Sequence, residues 1–399
     1  MKVVIAGAGV AGSASAIALA RNGAEVTVYE AHTDPAGQVG SFLSLAVNGL
    51  RGLAALGCLA QVQSAGFSVS RQLMWAGNGK LLGDVPRGRR SGDPLHSVTL
   101  MRGDLVTVLR DRAIRAGARI VTGHRLTADG LRQAASAAGA DLVVGADGIW
   151  SAARLALDPA APRPEFAGLY SVSGISAGLD GARPGTWNMI LGRRGAFIYL
   201  PAPDGTVWWS AQVAAERRPA GLAAIGAAEL AAAFRSEQRA VAILRAARSV
   251  HAATEHHVLA PVRRWHGGDL VLVGDAAHPA GAGQGASMAI EDAVELAGQL
   301  RDAGTVAEGL AGYERARRGR AGKMAKIAAA NRDAKTAGPV AAGLRNVIMP
   351  VLFGRLYERA TGWLYDYDPG SGQPDGEAAG PGAGSGRLGG AAAGQVPSR

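Results

Sequence analysis

The chain has 399 residues, 48% apolar and 19% charged, with a formal charge of +10. That length supports two to three lobes around a sizeable core, so folding needs neither metal nor disulfide. Its one cysteine, Cys58, excludes an internal disulfide framework and any cysteine-rich zinc or iron–sulfur centre, and fits a reducing, cytoplasmic setting. The basic surplus is almost all arginine and lacks the interleaved aromatics of single-strand binders, so nucleic acid is not an expected partner. No stretch offers about 18 unbroken apolar residues, so no membrane span is expected. Met1–Ala20 is apolar but interrupted by Gly7, Gly9 and Gly12, and lacks the cleavage region of a signal peptide.

In chain order, Val3–Ala6 reads as a buried strand. A glycine turn leads into a helix over Ala11–Asn22, stopped by Gly23, and Glu25–Tyr29 is the second strand of a βαβ unit. Helix, glycine stop and strand recur over Asp104–Ala116, Gly117 and Arg119–Val121. Asp141–Ala146 is another apolar strand. From about Phe166 the texture changes. Trp187–Leu191, Ala196–Leu200 and Val207–Val213 read as antiparallel strands with turn-like separators. Leu222–Arg248 reads as helical, Asp269–Val273 as a strand, and about Ala286 to Leu300 as a helix. Leu310–Ala334 is a basic helix, with Arg315, Arg317, Arg318, Arg320, Lys323 and Lys326 expected on a solvated face. Leu344–Leu364 is amphipathic and expected to break at Pro350. Pro369–Arg399 holds ten glycines in 31 residues and is expected to be disordered.

Two motifs carry chemistry. In Gly7-Ala-Gly9-Val-Ala-Gly12 the glycines permit a tight turn, backbone approach to a pyrophosphate, and close helix–strand packing. A helix N-terminus there favours phosphate. Glu30, ending the second strand, can accept the hydroxyls of an adenosine ribose. This predicts a dinucleotide and leaves FAD or NAD open. In the second motif a buried strand delivers Asp275 to its C-terminal end. Glycines through Gly285 then let backbone approach a flat ligand, and the dipole of the following helix stabilises negative charge.

These segments, with Asp141-Leu-Val-Val-Gly-Ala-Asp147-Gly148-Ile-Trp-Ser-Ala-Ala-Arg154 between them, resemble the three fingerprints of the FAD-dependent single-component aromatic hydroxylases, the para-hydroxybenzoate hydroxylase-like flavin monooxygenases. The resemblance covers Met1 to about Asp368. It implies an α/β fold: a Rossmann-like FAD-binding domain, an inserted antiparallel β-sheet substrate domain, and C-terminal helices. The expected division is 1–165 and 261–304 for FAD, 166–260 for substrate, 305–368 for the helices and 369–399 for the tail. It also implies an NADPH- or NADH-using monooxygenase that transfers oxygen from a flavin C4a-hydroperoxide to a hydrophobic, aromatic compound of secondary-metabolite or antibiotic type.

Residue by residue, the resemblance puts Glu30 on the ribose, Arg102 near the ribityl and phosphates, and Asp275 on the ribityl chain. The amides of Gly285, Ala286 and Ser287 face the flavin pyrimidine edge, and Ala11, Ala31 and Leu126 add to the FAD site. Asp147, Gly148 and Arg154 match the motif tied to both FAD and nicotinamide. Two departures stand out: only Pro279-Ala-Gly-Ala precedes Gly283, where the family has a longer loop, and Thr122–Ala140 is short.

Trp187, Met189, Phe197, Tyr199 and Trp209 are the expected substrate-pocket aromatics and methionine, with sheet packing as the alternative. Arg193 and Arg194 read as turn residues, His278 as structural and Cys58 as core. His256 and His257 lack a third ligand, so no metal is expected. Trp208-Trp209 lacks the halogenase continuation, and a plain NAD dehydrogenase leaves Asp275 without a role. The remaining alternatives are a flavin oxidoreductase without oxygen transfer and a flavin-fold ligand-binding module. The sequence leaves monomer and homodimer open.

Overall fold

The computed structural model describes residues 1–34, 41–179, 181, 183–280, 283–335 and 339–369. The first core forms where a central parallel sheet meets helices. Its strands lie in the order His266–Gly267, Leu270–Leu272, Leu142–Gly145, Lys2–Ala6, Glu25–Tyr29 and Arg119–Val121. All pairs are parallel except the first. Short apolar strands such as Val3–Ala6 are buried on both faces, as helix-covered parallel sheets require. The order brings three chain-distant strand ends together beside the first glycine turn.

A second sheet runs Ala247–Val250, Glu165–Ser176, Val207–Ala214, Gly195–Pro201, Thr186–Leu191, Arg71–Ala76 and Leu81–Pro86, with Thr254–Val258 also pairing Glu165–Ser176. The boundary expected at residue 165 is therefore corrected. Arg71–Ala76 and Leu81–Pro86 precede it, yet hydrogen-bond into the substrate sheet through a parallel pairing with Thr186–Leu191. Local periodicity carries no signal for a pairing across more than a hundred residues. Phe42–Leu45, Ser97–Met101 and Phe67–Val69 form a small third sheet between the two.

The helical reading of Leu222–Arg248 resolves into a 3-10 turn, Leu222–Ala224, and the helices Ala227–Ala233 and Gln238–Arg245. They cover one face of the second sheet. Thr122–Ala140, short against the family pattern, contains the helix Ala128–Ala138, capped by the Thr127 hydroxyl and closed by left-handed Gly139.

Two expectations about the C-terminal helices are overturned. Arg317 and Arg320 are 0% and 2% exposed, so they do not belong to a solvated face. They lie on Val306–Lys335 and reach the carboxylates of Gly285–Asp302. The helix Pro339–Tyr365 runs through Pro350 without ending there. Its packing against Leu81–Pro86 holds it where proline removes one hydrogen-bond donor. The glycine-rich tail from residue 370 lies outside the described residues.

Candidate active site

The first glycine turn is shaped by what a side chain would strike. Gly7 has φ +97°, and a Cβ there would sit 2.5 Å from the Ala146 carbonyl oxygen. A Cβ on Gly12 would lie 1.8 Å from the Gly7 oxygen. Gly9 differs: nothing lies within 4 Å of its Cβ position, so backbone faces open space at the N-terminus of helix Val10–Arg21. No side chain caps that helix. Glu30 is buried, and its carboxylate accepts the Ala8 N–H at 2.7 Å and the His32 N–H at 2.9 Å. Ala31 follows it. Ala11 touches the Gly274 turn, where an added Cβ would meet its methyl at 2.8 Å. Leu126 packs on the same core one residue before the cap of Ala128–Ala138.

Asp275 sits deep among protein atoms, yet its side chain is exposed. A group on the floor of an open cleft has both properties. Burial pushes its carboxyl up, opposed by His278, Arg102 and the Ala280 N–H. Arg102, which opens helix Arg102–Arg115, is thus near enough for its charge to favour the Asp275 carboxylate. Helix Gly285–Asp302 starts beside them without a side-chain cap. The first amides of a helix lack intrahelical acceptors, which leaves those of Gly285, Ala286 and Ser287 available. Gln284 Oε1 and Ser287 Oγ are also buried without a partner among the described residues. Residues 281 and 282, within the short loop before Gly283, lie outside the described residues.

The turn holding Asp275 is anchored from behind. Asp292 Oδ2 accepts the Gly274 N–H at 2.8 Å and the His278 Nε2 at 2.7 Å, and Oδ1 accepts Arg317 Nε at 2.7 Å. Glu291 is shared by Asn48, Arg317 and Arg320. Burial opposes ionisation of both acids. His278 and Arg317 hold Asp292 well below the usual carboxylate range, and Arg317 and Arg320 hold Glu291 below it. His278 also stacks on Trp265 at 4.9 Å, in keeping with its structural reading.

The middle motif is a brace. Asp147 Oδ2 accepts the Ala152 and Ala153 N–H groups, Gly148 has φ +77°, and buried Arg154 donates to Ile149 O and Ala276 O. Burial lowers the Arg154 pKa, with Asp147 opposing. Asp147 Oδ1 is buried without a partner among the described residues.

A cavity of about 740 Å³ lies between the second sheet, the Gly283–Gln284 segment and helix Pro339–Tyr365. Trp187 and Met189 line it. Phe197, Tyr199 and Trp209 do not, which corrects their assignment to the pocket. They are 0%, 1% and 0% exposed on the opposite sheet face, packed with Phe234, Leu230 and Ile243. Register explains the split. Met189 pairs with Ile198 and Asn188 with Tyr199, so Trp187, Met189 and Ile198 share one face while Phe197 and Tyr199 point away.

Sequence reasoning missed Arg87, the one permanently charged side chain among the described lining residues. It stacks 4.3 Å over Trp187 and donates to Gln72 at 2.8 Å. Nothing local marks it, because the Trp187 ring it stacks on lies a hundred residues away in sequence. His256, considered only as a metal ligand, lines the other side and meets Ser171 Oγ at 3.0 Å. No group of three metal-binding side chains occurs among the described residues, and no described helix is long and apolar enough to cross a membrane.

The open backbone at Gly9, the glycines that tolerate no Cβ, accessible Asp275 and the uncapped helix at Gly285 together fit FAD. The parallel sheet with its glycine turn defines a dinucleotide-binding fold, to which the second sheet adds a cavity beside the Gly283–Gln284 segment. The FAD binding domain family model matches residues 1–328. The aurachin C monooxygenase/isomerase of Stigmatella aurantiaca is 31% identical over 79% of this chain and 85% of its own. The kynurenine 3-monooxygenase of Salinispora arenicola is 31% identical over 83% and 79%. Among solved structures, a salicylate hydroxylase substrate complex superposes with TM-score 0.76 at 20% identity, covering 93% of this chain and 96% of that one. Klebsiella pneumoniae HpxO with FAD and uric acid gives 0.74 at 22% identity, covering 91% and 95%. The chain belongs to the FAD-binding-domain family of flavin monooxygenases, the para-hydroxybenzoate hydroxylase-like aromatic hydroxylases. It is an FAD-dependent enzyme, with NADH or NADPH as cosubstrate and O₂ as oxidant.

Proposed function

We propose that the chain hydroxylates an electron-rich, largely apolar aromatic compound of secondary-metabolite type. The cavity carries this reading: it adjoins the Gly283–Gly285 loop, and its walls are mainly Met, Leu, Ile and aromatic side chains around one arginine. Relatives named for aurachin C and kynurenine support an aromatic substrate. A single, buried cysteine supports a cytoplasmic setting.

In this reading Gly7, Gly9, Ala11 and Gly12 admit the pyrophosphate, while Glu30 and Ala31 receive the adenosine ribose. Carboxylate oxygens have lone pairs beyond those already used by Ala8 and His32. Arg102, Leu126 and Asp275 hold the ribityl side, and the amides of Gly285, Ala286 and Ser287 meet the flavin pyrimidine edge. Bound FAD supplies the hydride-accepting and oxygen-activating chemistry. Trp187 and Met189 exclude water from the reacting ring. Arg87, fixed by Gln72 and Trp187, favours an ionised ring oxygen beside it. Asp147, Gly148 and Arg154 keep the motif tied to both FAD and nicotinamide in place.

The test is oxygen bookkeeping in labelled gas. Purified holoenzyme is reduced anaerobically with NADPH, then exposed to ¹⁸O₂ with a panel of phenols. One ¹⁸O in the product per NADPH is the expected result. Stoichiometric H₂O₂ without labelled product would establish the oxidoreductase lacking oxygen transfer, and a protein that retains no FAD would overturn the reading.

A further inference from the structure

The cavity is a trough whose long wall is a single helix. Pro339–Tyr365 lies along strand Leu81–Pro86, and its contacts fix its direction. The Asn346 carbonyl meets Lys80 Nζ at 3.4 Å, beside the turn joining Arg71–Ala76 to Leu81–Pro86. Phe353 covers Gly83, where an added Cβ would sit 2.4 Å from its ring. Glu358 accepts the Ser91 N–H at 2.9 Å, and Asp366 pairs with Arg90. Tyr365 and Leu364 therefore stand at the end that holds Arg87, and Ile348 and Met349 at the far end. Ile348 to Tyr365 spans about 26 Å of helix at 1.5 Å per residue.

Polarity falls along that wall. At one end Arg87 and Gln72 lie beside Gly283, whose Cβ position is 4.0 Å from the Arg87 guanidinium. From there the helix presents Tyr357, Phe353 and Met349 opposite Met74, Met189 and Leu191. At the far end the lining residue Ile348 is 42% exposed and neighbouring Val347 70%, and midway along the helix the lining residue Leu356 is 48% exposed. Apolar side chains on a cavity rim gain when a ligand covers them. A lone benzene ring fills only a fraction of about 740 Å³.

We infer that the substrate is an amphiphile: an aromatic ring with an acidic oxygen, carrying a long alkyl or prenyl chain. The ring lies between Arg87 and the Gly283–Gly285 loop. The chain follows helix Pro339–Tyr365, passes Leu356 midway and leaves past Ile348. This rests on the hydroxylase reading above and adds the class of substrate that the site takes.

The test titrates FAD-loaded enzyme with 4-alkylphenols from methyl to nonyl, following the flavin absorbance, which needs no turnover. The dissociation constant is expected to fall about two- to fourfold per added CH₂ through about seven carbons. In the double variant Ile348→Gln and Leu356→Gln, checked for FAD content, that fall is expected to flatten beyond the first few carbons. A constant independent of chain length, an unchanged slope in the double variant, or no perturbation by any member would overturn the inference. Labelled oxygen entering a compact phenol under those same results would leave the hydroxylase reading standing. Loss of both signals would remove both.

Discussion

The two halves of the molecule place their ligands by different means. In the parallel-sheet half the ligand-facing surface is largely backbone: glycine turns and uncapped helix ends, braced from behind by Asp292, Glu291 and Arg317. In the antiparallel half it is side chains, selected by which face of a strand looks toward the cavity. A backbone site is intolerant at single positions because added atoms have nowhere to go. A side-chain site is tolerant at each position but depends on register across several strands.

The sharpest break in this contrast lies within one glycine motif. Gly12→Ala places a methyl on the Gly7 carbonyl, and FAD retention, read as the ratio of flavin to protein absorbance, is expected to fall more than tenfold. Gly9→Ala meets open space. It should fold with stability near that of the parent in urea unfolding, yet bind FAD more weakly, because its methyl occupies the approach to the phosphates. Equal FAD loss and equal destabilisation in both variants would contradict this division.

Next is the brace. Arg317→Met leaves Glu291 and Asp292 facing each other with too few cations. Breaking a buried pair from one side costs about 3–5 kcal/mol, measurable by urea unfolding. Both carboxylates are held below their ordinary pKa, so their contribution is present above about pH 4 and is lost as pH falls through the depressed folded values. In Arg317→Met the acid-unfolding midpoint should move to higher pH. A midpoint unmoved by the substitution would show that the pairing does not stabilise the native state.

A smaller effect sharpens the face assignment. Phe197 stacks on Trp209 and meets Phe234 edge-on, away from the cavity. Phe197→Leu should cost about 1–1.5 kcal/mol of stability and leave substrate KM within twofold. Trp187→Leu should do the opposite, raising KM about tenfold through loss of the cavity wall and of the Arg87 stack. If Phe197→Leu raises KM as much as Trp187→Leu does, the strand faces are misassigned. The smallest effect belongs to Arg315, on the same helix as Arg317 but exposed: Arg315→Ala should change stability by less than about 0.5 kcal/mol. A larger loss would undo the distinction between the two arginines.

What the sequence by itself determined follows from local chemistry. Gly7, Gly9 and Gly12 between two apolar strands, Glu30 at a strand end, and Asp275 before a glycine-rich helix start are short-range patterns. Their backbone requirements do not depend on distant residues. The helix–glycine–strand repeats and the antiparallel character of 187–213 were legible for the same reason. Tertiary structure decided the rest. The parallel pairing of Arg71–Ala76 with Thr186–Leu191 moved two strands across the expected boundary and set Arg87 over Trp187. Register divided five expected pocket residues into two that line the cavity and three that face a separate core. Helix packing turned Arg317 and Arg320 from an apparent solvated face into buried partners of Asp292 and Glu291, behind the turn that holds Asp275. Alternation along a strand says that two faces exist, and charge along a helix says that partners are needed. Which face is the cavity, and where the partners sit, is set by chain segments too far apart in sequence to leave a local mark.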